Sequence, residues 1–166
     1  MTERDALSAG WTLNNTGGAT VDGCNNGIWA GKRYVLGGDV STMLLFDDLG
    51  EVAGFQWGLT TTPSGNIPPW ELNGGIYTLT TYYRDPATIC TNNPSGNGNP
   101  VGDRLWIKMS NTSYMSIPLV ESQVTNGTEW IKGKCFYTMG EHYWWNIYPT
   151  LDCNDFFPIF LLYNSG

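Results

Sequence analysis

Apolar and polar residues alternate along this chain in short runs, each closed by a cluster of Gly, Asn, Pro or Asp, and a 3.6-residue period is almost absent. Successive side chains leave a strand on opposite faces, so alternation of this kind marks strands with one face packed and the other wet. The clearest unit is a hairpin: residues 41–46, the turn Asp47-Asp48-Leu49-Gly50, then residues 51–59. In its second arm Ala53, Phe55, Trp57 and Leu59 share one face, and Gly54, Gln56 and Gly58 share the other. The first set is expected to pack, and the glycine face to let another group approach closely.

Further strands are predicted at 29–36, 75–83, 104–110, 113–119, 129–137, 143–148 and 157–163, with Asn111-Thr112 as a tight turn and 119–124 as a single helical turn. About nine short antiparallel strands make an all-β domain, a sandwich or a small barrel. A length of 166 residues suits one core, and no internal repeat, coiled coil or linker divides it, so a single domain over 1–166 is expected. Residues 61–75 and 91–102, rich in Pro, Gly and Asn, read as loops of the length that usually carries function or motion.

A net charge of −7 without clustered Lys or Arg opposes nucleic acid and anionic membranes as partners. The longest apolar run, 156–163, contains Pro158 and falls far short of the roughly 20 residues of a membrane span. It is followed by the turn signal Asn164-Ser165-Gly166, which suggests a missing partner strand or self-association at the C-terminal strand. The opening Met1-Thr2-Glu3-Arg4-Asp5 is charged and has no signal-peptide core.

Cysteine usage points to the extracellular side. Cys24, Cys90, Cys135 and Cys153 form no C-x-x-C pair and accompany one histidine, so two disulfides fit better than a zinc site. Three connectivities are open. Cys135 with Cys153 would clip a local turn and Cys24 with Cys90 would close a long loop. The sequons at Asn14, Asn111 and Asn126 agree with secretion.

Eight Trp and nine Tyr against eight Lys plus Arg make aromatics the leading site candidates, since Trp and Tyr join a flat apolar face to a polar tip. Trp70, fixed by Pro68-Pro69 and followed by Glu71 and Asn73, is placed to stack on a sugar ring while its neighbours bond hydroxyls. Tyr82-Tyr83-Arg84-Asp85 and Tyr143-Trp144-Trp145 offer the same types, with Tyr83, Tyr143 and Trp144 as contacts, although core packing is the ordinary fate of such residues. His142 next to Glu141 could act as a general base, but strand neighbours face opposite ways, so a structural histidine within the aromatic run is the simpler reading. Asp47, Asp48 and Glu51 read as turn chemistry. Asp152 and Asp155 are candidates for Ca²⁺, the one cofactor considered, against a structural role beside Cys153.

Several stretches carry a resemblance: Met43-Leu44-Leu45-Phe46-Asp47-Asp48-Leu49-Gly50-Glu51-Val52-Ala53-Gly54-Phe55-Gln56, Leu79-Thr80-Thr81-Tyr82-Tyr83-Arg84-Asp85-Pro86-Ala87-Thr88-Ile89-Cys90, Gly133-Lys134-Cys135-Phe136 through Trp144, and Asp152-Cys153-Asn154-Asp155 through Tyr163. Over residues 43–163 the chain resembles a group of secreted invertebrate proteins with no assigned activity. The resemblance implies secretion and disulfides and carries over no catalytic residue. The expected function is an extracellular binding module for a carbohydrate or a small amphipathic molecule. The alternatives are a carboxylate-based hydrolase assisted by His142, or an acidic matrix or mineral-associated protein.

Overall fold

The computed structural model describes residues 1–14, 16, 23–25, 27–63, 69–91, 102 and 104–164. Its elements in chain order are α1 (Glu3–Ser8), β1 (Trp11–Leu13), β2 (Lys32–Leu36), β3 (Asp39–Phe46), β4 (Val52–Leu59), β5 (Glu71–Asn73), β6 (Ile76–Tyr82), β7 (Arg104–Ser110), β8 (Ser113–Pro118), β9 (Trp130–Phe136), β10 (Gly140–Trp145) and β11 (Phe160–Tyr163). Three single 3-10 turns lie at Pro86–Thr88, Glu121–Gln123 and Cys153–Asp155. The protein is all-β, as the alternation predicts: eleven strands in two open antiparallel sheets, neither closed into a barrel. No helix among the described residues is long and apolar enough to cross a membrane.

The chain gathers into two compact units, Met1–Pro63 with Pro69–Ile117 and Ser64–Pro68 with Pro118–Gly166, a division that no linker in the sequence announces. The first holds an eight-stranded sheet in the order β1-β2-β3-β4-β6-β7-β8, with β5 also paired to β6. The second holds a three-stranded sheet in the order β11-β10-β9.

The β3–β4 hairpin forms as predicted, and Asp47 is the reason its turn closes. Its Oδ1 accepts from Leu49 N at 2.9 Å and Glu51 N at 2.7 Å, while Arg84 donates to its Oδ2. Both side chains are almost fully buried, so Asp47 is a structural acid. The packed face of β4 departs from the expected one, of which Ala53 is buried and Phe55 half-buried. Gln56 and both glycines are buried, while Trp57 and Leu59 are exposed. The glycines do serve close approach, but of neighbouring strands: a Cβ on Gly54 would overlap the Thr81 carbonyl oxygen, and one on Gly58 that of Val40.

Two cores flank the large sheet. On one face Leu45 and Tyr82 meet Cys24, Trp29, Ala30, Ala53 and Ile89. On the other, Tyr34 and Phe46 meet Ala6 of α1. That short helix escapes a periodicity search, yet its capping box is readable: Thr2 and Asp5 exchange bonds of 2.9 and 3.2 Å between backbone and side chain. On the first face a buried polar strip runs from Arg33 to Gln56 and Thr80, with bonds of 3.4 and 2.9 Å.

Cys24 and Cys90 are bridged, with Cα atoms 5.4 Å apart. Cys135 and Cys153 are unbridged and exposed, which corrects the expected second disulfide. Cys135 sits in β9 opposite Glu141, whereas Cys153 opens the 3-10 turn of the β10–β11 connection, capped by Asp152.

Candidate functional site

Within the first unit, the two segments tied by Cys24–Cys90 wall a cavity of about 320 Å³ that also receives Asn111 and Tyr114 from the β7–β8 hairpin. One wall is Asn25 with residues 27–30. Its turn is set by Asn25, whose Oδ1 accepts from Gly27 N at 3.2 Å, and by Gly27 at φ +81°, a left-handed conformation that glycine adopts without strain. Tyr82 then anchors this segment to the sheet, its hydroxyl accepting from Ala30 N at 3.0 Å. The other wall is the turn Pro86–Thr88, capped by Asp85 Oδ1 accepting from Ala87 N at 2.9 Å.

A line of ionic contacts supports the third wall. Lys108, its side chain almost wholly buried, donates to Glu71 and, at 3.3 Å, to Asn111 Oδ1. Behind the first wall the Arg33 guanidinium lies 4.0 Å from the centroid of the Trp29 ring. Arg33 donates to Asn14, Thr16 and Gln56, and burial pulls its pKa down to about 10. Tyr114 stands at the mouth, its ring 6.1 Å from that of Tyr82. Burial chiefly, then the negative charges of Glu71 and Asp85, raise its phenol pKa and keep it a neutral donor.

The amides of Asn25 and Asn111 thus spend their Oδ1 atoms on the protein, which leaves Nδ2 of each as the donor available to a ligand. Asp85 Oδ2 is an acceptor beside them, and the Tyr114 ring is an apolar plane. Such a set suits a small polyhydroxylated molecule. The lining contains no histidine, and the neighbouring cysteines are oxidised to each other.

The residues singled out in the sequence do not converge on one place. Trp70 is half-buried at the entrance to β5, and Glu71 and Asn73 belong to that strand rather than to a loop. Glu71 reaches the cavity through Lys108, whereas Asn73 is buried and donates to Thr78 Oγ1 at 2.6 Å. Tyr83 is half-buried with its ring 5.9 Å from that of Phe55. Residues 92–101, the greater part of the second expected loop, lie outside the described residues.

In the second unit, β10 sends its aromatics to opposite faces. Tyr143 is buried and donates to Glu121 at 2.8 Å, and Lys132 binds the same carboxylate at 3.2 Å. The Tyr143 bond, then that of Lys132, lowers the Glu121 pKa. On the opposite face His142, Trp144 and Phe160 form a triangle of rings: the imidazole lies 6.2 and 5.8 Å from Trp144 and Phe160, its plane within 22 and 14° of theirs, and those two rings are 5.0 Å apart. His142 and Glu141 therefore do not cooperate. A bulge between Glu141 and Tyr143 shifts the β9 register and brings Phe136 edge-on to His142 at 4.9 Å. Asp152 caps its own turn, accepting from Asn154 N at 2.8 Å. No group of three or more metal-ligating side chains gathers among the described residues.

Of the cavity residues, the sequence reading passes over Asn25, takes Asn111 as a turn and a sequon, and includes Asp85 only as the end of the Tyr82-Tyr83-Arg84-Asp85 stretch. Their signal was the Cys24–Cys90 pairing, which brings the first two segments together. Comparison with family models, with curated proteins and with solved structures finds no match for this chain.

Proposed function

We propose that the protein is an extracellular binding module whose first-unit cavity takes a small carbohydrate. The supporting observation is the convergence of two preset amide donors, a carboxylate and a tyrosine ring on a cavity of about 320 Å³, the lower end of ligand-pocket sizes. Sugars present hydroxyls in a plane and C–H faces above and below it, so Asn25, Asn111 and Asp85 would bond the hydroxyls while Tyr114 packs on a face. The disulfide agrees with an oxidising compartment. Asn111 Nδ2 is also the atom that N-glycosylation would modify, so on this reading ligand binding and a glycan at Asn111 exclude each other.

Titration calorimetry of unglycosylated protein against a panel of mono- and disaccharides tests this. A sugar that binds should lose affinity by roughly tenfold or more with Tyr114→Ala and with Asn111→Asp, at unchanged melting temperature. No heat from any sugar, or a binder indifferent to both substitutions, would refute the reading.

A further inference from the structure

In the second unit the three-stranded sheet separates its chemistry by face. Lys132, Glu141 and Tyr143, with Glu121 bound to two of them, occupy one side. The other carries Ile131, Phe136, Trp144, Phe160 and Leu162, with Phe156 5.6 Å from Trp144, and its central imidazole is His142. Five of these apolar side chains, Ile131, Phe136, Phe156, Phe160 and Leu162, are each 40–51 % exposed. The tip of the β9–β10 hairpin adds Tyr137 and Met139, at 96 % and 51 %.

We infer that this face is the contact surface of a homodimer, with the same face of a second copy as its occupant. The area decides for it. At roughly 200 Å² per large side chain, the exposed parts of these seven sum to about 700 Å² on one copy, and two copies would bury about 1,400 Å². That lies inside the range of stable protein interfaces and above the apolar patch that a typical monomer leaves open. The chemistry fits self-association as well. The net charge of −7 makes two copies repel, and this face lacks the carboxylates of the other side, so like surfaces can meet by a two-fold axis without facing charge. Stacked and edge-on rings across such a seam are favourable pairings. The proposal stands apart from the carbohydrate site, since it uses none of its residues.

Sedimentation velocity of the full chain through the micromolar range is the test. A concentration-dependent dimer is expected, strengthened by salt because charge repulsion is screened and no interfacial ion pair is lost. Leu162→Lys and Ile131→Lys, both at exposed positions, should each raise the dimer dissociation constant at least about tenfold while circular dichroism and melting stay as in the parent. A monomer at every concentration, or variants that sediment like the parent, would overturn it. A monomer that instead floats with phosphatidylcholine vesicles would also overturn it, assigning the face to a lipid surface.

Discussion

The Cys24–Cys90 bridge should set both the stability of the first unit and the shape of its cavity. It spans 66 residues. Closing a loop of that size removes chain entropy from the unfolded state equivalent to about 4 kcal/mol at 25 °C. Cys24 also belongs to the buried cluster around Trp29, Leu45 and Tyr82, so replacing it adds a packing loss to the entropic one. For a chain of 166 residues that unfolds in one step, about 4 kcal/mol corresponds to a fall in melting temperature of roughly 12 °C, and to more if the first unit melts by itself. Urea unfolding of Cys24→Ala/Cys90→Ala against the parent measures the effect. Reduction of the parent is a clean second arm, because the other two cysteines are already unbridged. The same treatments should weaken any cavity ligand, since the bridge holds Asn25 and residues 27–30 against residues 85–87. A loss below about 1 kcal/mol in both arms would show that the packed core restrains the chain without the bridge.

Three further outcomes follow from single contacts. Arg84→Met should cost about 3–5 kcal/mol in urea unfolding, because it leaves the Asp47 carboxylate buried without its cation. Gly54→Ala should destabilise by about 1–3 kcal/mol or more, since the Thr81 carbonyl in the paired strand cannot yield, whereas Gly75→Ala meets no neighbour and should show only the modest strain of its positive φ. Tyr82→Phe should cost about 1–3 kcal/mol at neutral pH by leaving the buried Ala30 N–H without its acceptor. Burial raises the Tyr82 pKa, so its neutral form contributes stability that is complete below the ordinary tyrosine value of about 10 and is lost as pH rises beyond it. Melting curves from pH 8 to about 12 should therefore fall steeply for the parent and less steeply for Tyr82→Phe; parallel curves would contradict that assignment.

The strands were legible in the sequence because their signal is local. Alternation between turn clusters places β3, β4, β6, β7, β8 and β9 within a residue or two of their observed limits, and Asp47-Asp48-Leu49-Gly50 is a turn in both readings. The long-range pairing of Cys24 with Cys90 was among those weighed, and it proved to be the feature that gathers the cavity walls. Alternation also states which side chains share a face. It does not state which face meets a core, because that depends on what the chain later lays against the sheet. Gly54 and Gly58 do admit the close approach expected of them, yet with Gln56 they are also buried, and Trp57, expected to pack, is left exposed.

The rest was decided by tertiary structure. The β9 bulge turned Phe136 onto the face of His142, an offset of one residue that no period-two reading anticipates. Asn25, Asp85 and Asn111 each hold a turn or wall in place, with an Oδ1 bonded within the protein. Their convergence depends on a disulfide that joins residues 66 apart and on the buried Lys108, which bonds both Asn111 and Glu71. Local propensity determines the turns, whereas only chain closure determines which turns meet.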